Sequence, residues 1–182
     1  MSLTLSALLN DESLRQLEFP VAREHCFLAH AGVCPLPRRV TEAIQHYASR
    51  CTAGDQETLL PATQVAATRE LAARLLRAQP SEIALIGPTS LALSLVASGL
   101  PWRKNDNLLI YFDDYPSNVY PWMALAEHGV QVRFLNTRVP GRIRLVDVQG
   151  QVDEQTRLVA LASCHFLSGF RVDLAAIGAY LH

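Results

Sequence analysis

Three short stretches gather the residues able to do chemistry: IGPTS (86–90), FDDYPSN (112–118) and SCHFLSGFR (163–171). In the first, Gly87 and Pro88 lead into Thr89 and Ser90. A helix opening there would present its first-turn N–H groups, the positive end of its dipole and two hydroxyls, a set suited to phosphate. The same two residues are also ordinary helix caps. In the second stretch two acids precede Tyr115, and Pro116 fixes a turn. Ser117 or Asn118 can then cap a helix running through VYPWMALAEHG, with Pro121 in the first turn, where a missing N–H costs little. Tyr115 can offer its ring face to a planar ligand or pack beneath the next loop; Tyr120 and Trp122 read as core. In the third stretch His165 can donate to a phenolate or carboxylate oxygen near neutral pH or simply hold the loop, and Cys164 reads as packing.

The elements around these stretches must position them. Between Arg38 and Arg77 the pattern is helical, with Val40, Ala43, Ile44 and Tyr47 on one face and ATRELAARLLRA (67–78) stopped by Pro80. Beyond Pro80 short apolar runs alternate with helical ones. Strands are expected at 83–86, 107–112, 130–135 and 158–162, and helices at 89–99, 118–128 and 172–181. A polar hairpin surrounds Pro140 and Gly141. Strands of four to six apolar residues separated by helices of about ten predict an α/β fold, a mainly parallel sheet covered by helices. In such sheets ligands bind beyond the carboxyl ends of the strands, where all three stretches fall.

The bulk composition narrows the function classes. A chain of 182 residues with 49% hydrophobic content can bury one sizeable core. Sixteen basic and seventeen acidic residues leave a net charge of −1, with fifteen arginines and a single lysine, Lys104. No basic cluster points to nucleic acid or to an anionic membrane surface, and no apolar run approaches the ~18 residues of a membrane span. Cysteines 26, 34, 51 and 164 form no CxxC pair and no metal spacing, and read as reduced, buried thiols in a cytoplasmic protein. There is no GxGxxG and no GKS or GKT, so neither a dinucleotide loop nor a nucleotide P-loop is supported.

Taken in order, the stretches resemble the class V aminotransferase family, which includes cysteine desulfurase-like, kynureninase-like and isopenicillin epimerase-like enzymes. The resemblance runs from about Phe27 to the end, through FLAHAGVCPLPRRVTEAI, IGPTSLALSLVASGL, NLLIYFDDYPSNVYPWMALAEHGVQVRFL and RLVALASCHFLSGFRVDLAAIG. It implies the large domain of the aspartate aminotransferase-like fold, with 1–37 as an arm and substrate-side loop and 38–182 as an incomplete cofactor domain. It implies pyridoxal 5′-phosphate as cofactor, an amino acid as substrate and a homodimer. Thr89 and Ser90 fall where the cofactor phosphate is held, Tyr115 where a ring stacks on the pyridine face, and His165 near the group that binds the phenolic oxygen. His30 and Ala31 fall in the loop lining the substrate side. The family's Schiff-base lysine has no counterpart here, because Lys104 sits in the polar turn PWRKNDN; no catalytic residue is assigned, and this stretch of chain alone is expected to be inactive. A non-catalytic binding or assembly module on the same fold is the alternative.

Overall fold

The computed structural model describes residues 3–30 and 33–182, which separate into two compact units. The first comprises the described residues up to Leu28 together with Cys34–Leu85, and is helical. Its opening helices, α1 (Leu5–Asn10) and α2 (Glu12–Glu18), are started by Thr4 and Asp11, whose side chains accept from the Ala7 and Leu14 N–H groups. Helix α3 (Arg38–Arg50) is tied to α2 by one buried carboxylate. Glu18 accepts from Arg38 Nη2 at 2.9 Å and from Arg39 Nε at 3.0 Å. A short α4 (Gln56–Leu59) precedes α5 (Ala62–Leu76). Arg77 ends α5 in the left-handed conformation, φ 55°, and Pro80 follows, a common helix stop. The expected apolar face of α3 is present, but Val40, Ala43, Ile44 and Tyr47 all remain exposed.

The second unit comprises the described residues within 29–33 together with Ile86–His182. Its helix α6 (Thr89–Gly99) leads to strand β1 (Asn107–Ile110), the short helix α7 (Tyr120–Met123), β2 (Gln131–Phe134), α8 (Leu145–Gln149), β3 (Thr156–Ala160) and α9 (Leu174–Leu181). The strands form a parallel sheet in the order β2-β1-β3, as the alternation of apolar runs predicts. Because side chains alternate across a strand, β1 feeds two cores at once. Leu108 and Ile110 pack with Ala97, Val119, Trp122 and Leu125 on one face. Leu109 and, just beyond the strand, Tyr111 pack with Leu135, Ile143, Val148 and Ile177 on the other. A strand covered on both faces needs apolar side chains on each, and Leu108, Leu109 and Ile110 supply them.

The amino end of β1 is pinned by buried Asn107, whose Nδ2 donates to Asp153 (2.8 Å) and whose Oδ1 accepts from the Thr156 hydroxyl (2.9 Å). Asp153 also pairs with Arg133 of β2, so one polar cluster links all three strands.

Several expectations are corrected. Residues 83–86 are not a strand: no described strand pairs with them, and Leu85 and Ile86 stand 47% and 45% exposed. An apolar run becomes a strand only when a neighbour accepts its hydrogen bonds. The helix expected over 118–128 divides into a 3₁₀ turn at Pro116–Asn118, α7, and a second 3₁₀ stretch at Ala124–His128. Tyr120 is not core but 67% exposed, whereas Trp122 is core. The cysteines are not buried: Cys26 and Cys34 are exposed, Cys51 and Cys164 half-buried. Among the described residues no helix is long and apolar enough to cross a membrane.

Candidate functional site

The turn after β1 is built around an acid. Asp114 is buried, and its carboxylate accepts from three donors: Tyr115 N–H at 2.7 Å, Asn118 Nδ2 at 2.9 Å and Ala162 N–H at 3.2 Å. Asn118 in turn accepts from the indole N–H of Trp122 at 3.0 Å. A carboxylate has acceptor sites enough for all three donors. It therefore holds its own turn, the 3₁₀ segment after it and the exit of β3 in one arrangement. Neither Ser117 nor Asn118 caps α7. Val119 occupies the cap position and has no side-chain acceptor to offer, while the Asn118 amide is engaged between Asp114 and Trp122. Pro121 sits at the start of α7, as its missing N–H permits.

Held this way, Tyr115 is 43% exposed, and its ring meets Phe166 edge-on with centroids 5.4 Å apart and planes at 86°. The ring is thus braced by the loop after β3, while much of the side chain stays exposed.

His165 lies in a second polar node, on the other side of β1. It is buried, and its Nε2 lies 2.8 Å from the Asp113 carbonyl. A carbonyl can only accept, so Nε2 carries the proton in this contact. Nδ1 then accepts from Ser168 N–H at 3.2 Å, and the Ser168 hydroxyl donates to the Gly141 carbonyl at 2.6 Å. The hydroxyl of Tyr111, the residue just beyond β1, accepts from Gly141 N–H at 2.7 Å, and the Tyr111 and His165 rings meet edge-on at 5.6 Å. Both ring nitrogens of His165 are thus committed inside the protein. In this arrangement it joins the ends of β1 and β3 to the hairpin around Gly141.

The opening turn of α6 is unlike an ordinary capped helix. Pro88 occupies the cap position with no side-chain bond, and Thr89 and Ser90 are exposed. Among the described residues neither hydroxyl has a hydrogen-bond partner. Helix α6 packs on the 116–118 turn. Ser90 and Ser94 face Pro116, Ser117, Tyr120 and Pro121 across an open cavity of about 520 Å³. Hydroxyls and helix N–H groups are donors an anion requires, and no carboxylate lines that cavity. His30 is an exposed turn residue, and Ala31 lies outside the described residues. Lys104 is exposed in the turn before β1. It therefore sits at the strand's amino end, opposite the end where Tyr115, Asp114 and His165 gather. Among the described residues no cluster of His, Cys, Asp or Glu could hold a metal ion.

Of the residues that build this site, Asp114, Tyr111, Gly141 and Ser168 carry no role in a reading of the sequence. The spacing of Asp114 and Asn118 across Tyr115-Pro116-Ser117 is the one local signal. The partners at Ala162 and Gly141 lie far along the chain.

A parallel sheet whose central strand is buried on both faces, with an uncapped helix start and a braced aromatic turn beyond that strand's carboxyl end, makes this an α/β protein whose candidate site lies where such sheets bind ligands. The chain belongs to the class V aminotransferase family, whose pattern matches residues 26–182. A probable cysteine desulfurase of Methanothermobacter thermautotrophicus is 32% identical over 91% of this chain and 42% of its own length. Among solved structures, a C-DES mutant with glycine covalently linked to its PLP cofactor superposes with a TM-score of 0.77 at 20% identity, over 90% of this chain and 44% of that one. The cysteine desulfurase CsdA of Escherichia coli gives 0.73 at 22% identity, over 93% and 45%. The two structural likenesses establish the fold. The chain spans less than half the length of the curated relatives it matches.

Proposed function

We propose that this chain provides the phosphate-holding and ring-stacking part of a pyridoxal 5′-phosphate enzyme. Its substrate is an amino acid or related amine, and its reaction is of the transamination, desulfuration or epimerisation type. The observation that carries the reading is the start of α6, where the Thr89 and Ser90 hydroxyls are uncommitted and Ser90 faces, across an open cavity, the Pro116–Ser117 turn that follows Tyr115. Thr89 and Ser90 would hold the phosphate with hydroxyl and backbone donors, and Tyr115 would lie against the ring. When bound, the cofactor supplies an electron sink for negative charge developing on the substrate's α-carbon. His165 and Ser168 hold the 163–171 loop against Asp113. His165 is the residue nearest in sequence pattern to the one that binds the cofactor's phenolic oxygen, and reaching that oxygen would require one of its present bonds to open. His30 and Ala31 are assigned to the substrate side on the same family correspondence.

The family correspondence also supports a homodimer. Exposed apolar residues on α5, such as Leu71, Leu75 and Leu76, offer surface for association. The cysteine spacings, with no CxxC pair, support a cytoplasmic setting.

The test compares two ligands that differ only in the phosphate. Titration with pyridoxal 5′-phosphate and with pyridoxal, followed by absorbance, should show that the chain prefers the phosphorylated form. A Thr89→Val, Ser90→Ala variant should lose about tenfold of that preference, since a hydrogen bond to a charged group contributes about 1.5–3 kcal/mol before solvent screening. Equal binding of the two ligands by the unaltered chain, or an unchanged preference in the variant, would refute the phosphate assignment.

A further inference from the structure

Tyr115 is held at two points by its neighbours. Its N–H is fixed by Asp114 Oδ1, and its ring is stopped edge-on by Phe166. The Asp114 carboxylate is buried, and every group it touches is a donor: two backbone N–H groups and the Asn118 amide. An ion pair is not what keeps it there, since no cation is among those three partners. Its placement ties the direction of the Tyr115 side chain to the exit of β3, through Ala162, 48 residues away. Phe166 follows His165, whose ring is locked to the Asp113 carbonyl, so the brace against Tyr115 is anchored next to the same turn.

We propose that Asp114 and Phe166 are positioning residues that hold the Tyr115 ring in a single orientation, so that a planar ligand meets a ring that is already ordered. The inference rests on the assignment of Tyr115 as the stacking ring, and it adds the residues through which that ring is set. The chemistry makes Asp114→Asn informative. The amide has nearly the carboxylate's shape but carries N–H on one of its two ends. Since all three partners are donors, at least one of them must then face another donor. Binding a ligand to a ring that moves among rotamers requires freezing it, which weakens binding without removing a contact.

The experiment uses this chain with pyridoxal 5′-phosphate as the probe, and variants Asp114→Asn and Phe166→Leu, each alone and combined with Tyr115→Ala. Each single variant should weaken binding about fivefold when Tyr115 is present and change it by less than twofold when Tyr115 is alanine. That non-additivity is what a merely structural role would not produce. Equal losses in both backgrounds, or no loss in either, would overturn the proposal. A second readout needs no ligand: three-bond couplings of Tyr115 in the labelled protein should report one χ1 rotamer in the unaltered chain and averaging in both variants. A single rotamer in the variants would overturn the inference. Failure of the unaltered chain to bind the probe would instead refute the cofactor reading, leaving the couplings to decide the positioning role. If Asp114→Asn does not fold, Phe166→Leu decides the matter by both measurements.

Discussion

Replacing Gly141 with alanine should be among the most damaging single-methyl additions in the second unit, for two separable reasons. Gly141 has φ +70°, the left-handed region, where a non-glycine residue costs about 1–2 kcal/mol. A Cβ there would also lie 2.8 Å from His165 Nδ1 and 2.9 Å from both Cβ and Oγ of Ser168. Such contacts are cheap when the other atom ends a flexible side chain, but these neighbours cannot yield. The His165 ring is buried, bonded to the Asp113 carbonyl and packed edge-on against Tyr111, while Ser168 is bonded to Gly141 itself. Overpacking a fixed site adds about 1–3 kcal/mol, so the expected total is about 2–5 kcal/mol.

Gly169→Ala isolates the first cost. Gly169 has φ +66°, but nothing lies within 4 Å of its added Cβ. The assay is urea unfolding followed by tryptophan fluorescence, which reports the second unit because Trp102 and Trp122 both belong to its core. Gly141→Ala should be less stable than Gly169→Ala by about 1–3 kcal/mol. If the two variants lie within about 0.5 kcal/mol of each other, a difference too small for a real clash, the node around His165 is not packed as described.

Tyr111→Phe should cost about 1–3 kcal/mol in the same assay, because it leaves the buried Gly141 N–H without its acceptor; a neutral effect would mean that another acceptor takes over. Arg39 and Arg38 hold the Glu18 carboxyl below its ordinary value of 4.5 by hydrogen bonding and charge. A carboxylate with a depressed folded-state pKa stabilises above its unfolded pKa, and that contribution is lost as pH falls below about 4.5 toward the lowered value. The protection of α1–α2 amides, taken relative to their intrinsic exchange rates, should therefore fall as acid is added across that window, and Glu18→Gln should abolish this loss of protection. Lys104, exposed before the amino end of β1, should show no selective pyridoxyl label after borohydride treatment with pyridoxal 5′-phosphate; stoichiometric labelling there, by mass spectrometry, would overturn the placement of the site beyond the strands' carboxyl ends.

What the sequence disclosed follows the range over which each feature is determined. Helix α6 begins at Thr89 and ends at Gly99, as the pattern predicts, and β1 begins at Asn107, because a buried apolar run bounded by turn residues is a local signal. The run at 83–86 has the same texture and is not a strand, since pairing depends on a neighbour that the run itself does not specify. Helices α1 and α2 begin at residues with good caps, Thr4 and Asp11, but each is too short for its apolar spacing to stand out. Helix α8 starts after Arg144, whose pairing with Asp147 closes the first turn in a region that otherwise reads as polar hairpin.

The site divides along the same line. DDYPSNVYPW is unusual for a turn because its residues have obligations in three directions. Trp122 fills the core under β1, Asn118 carries its indole N–H to Asp114, and Asp114 carries the turn to β3. Which of its aromatic rings is core and which is open is settled by those bonds. Trp122, with a partner for its N–H, can go inside, whereas Tyr115 has only its backbone N–H and one ring contact held and remains half out. The groups that decide this meet across 48 residues at Ala162, 52 at Asp113–His165 and 30 at Tyr111–Gly141. Such pairings leave no periodicity behind. A buried carboxylate satisfied only by donors is visible in the sequence just as an acid placed oddly behind an apolar strand, and its purpose appears once the chain has returned to meet it.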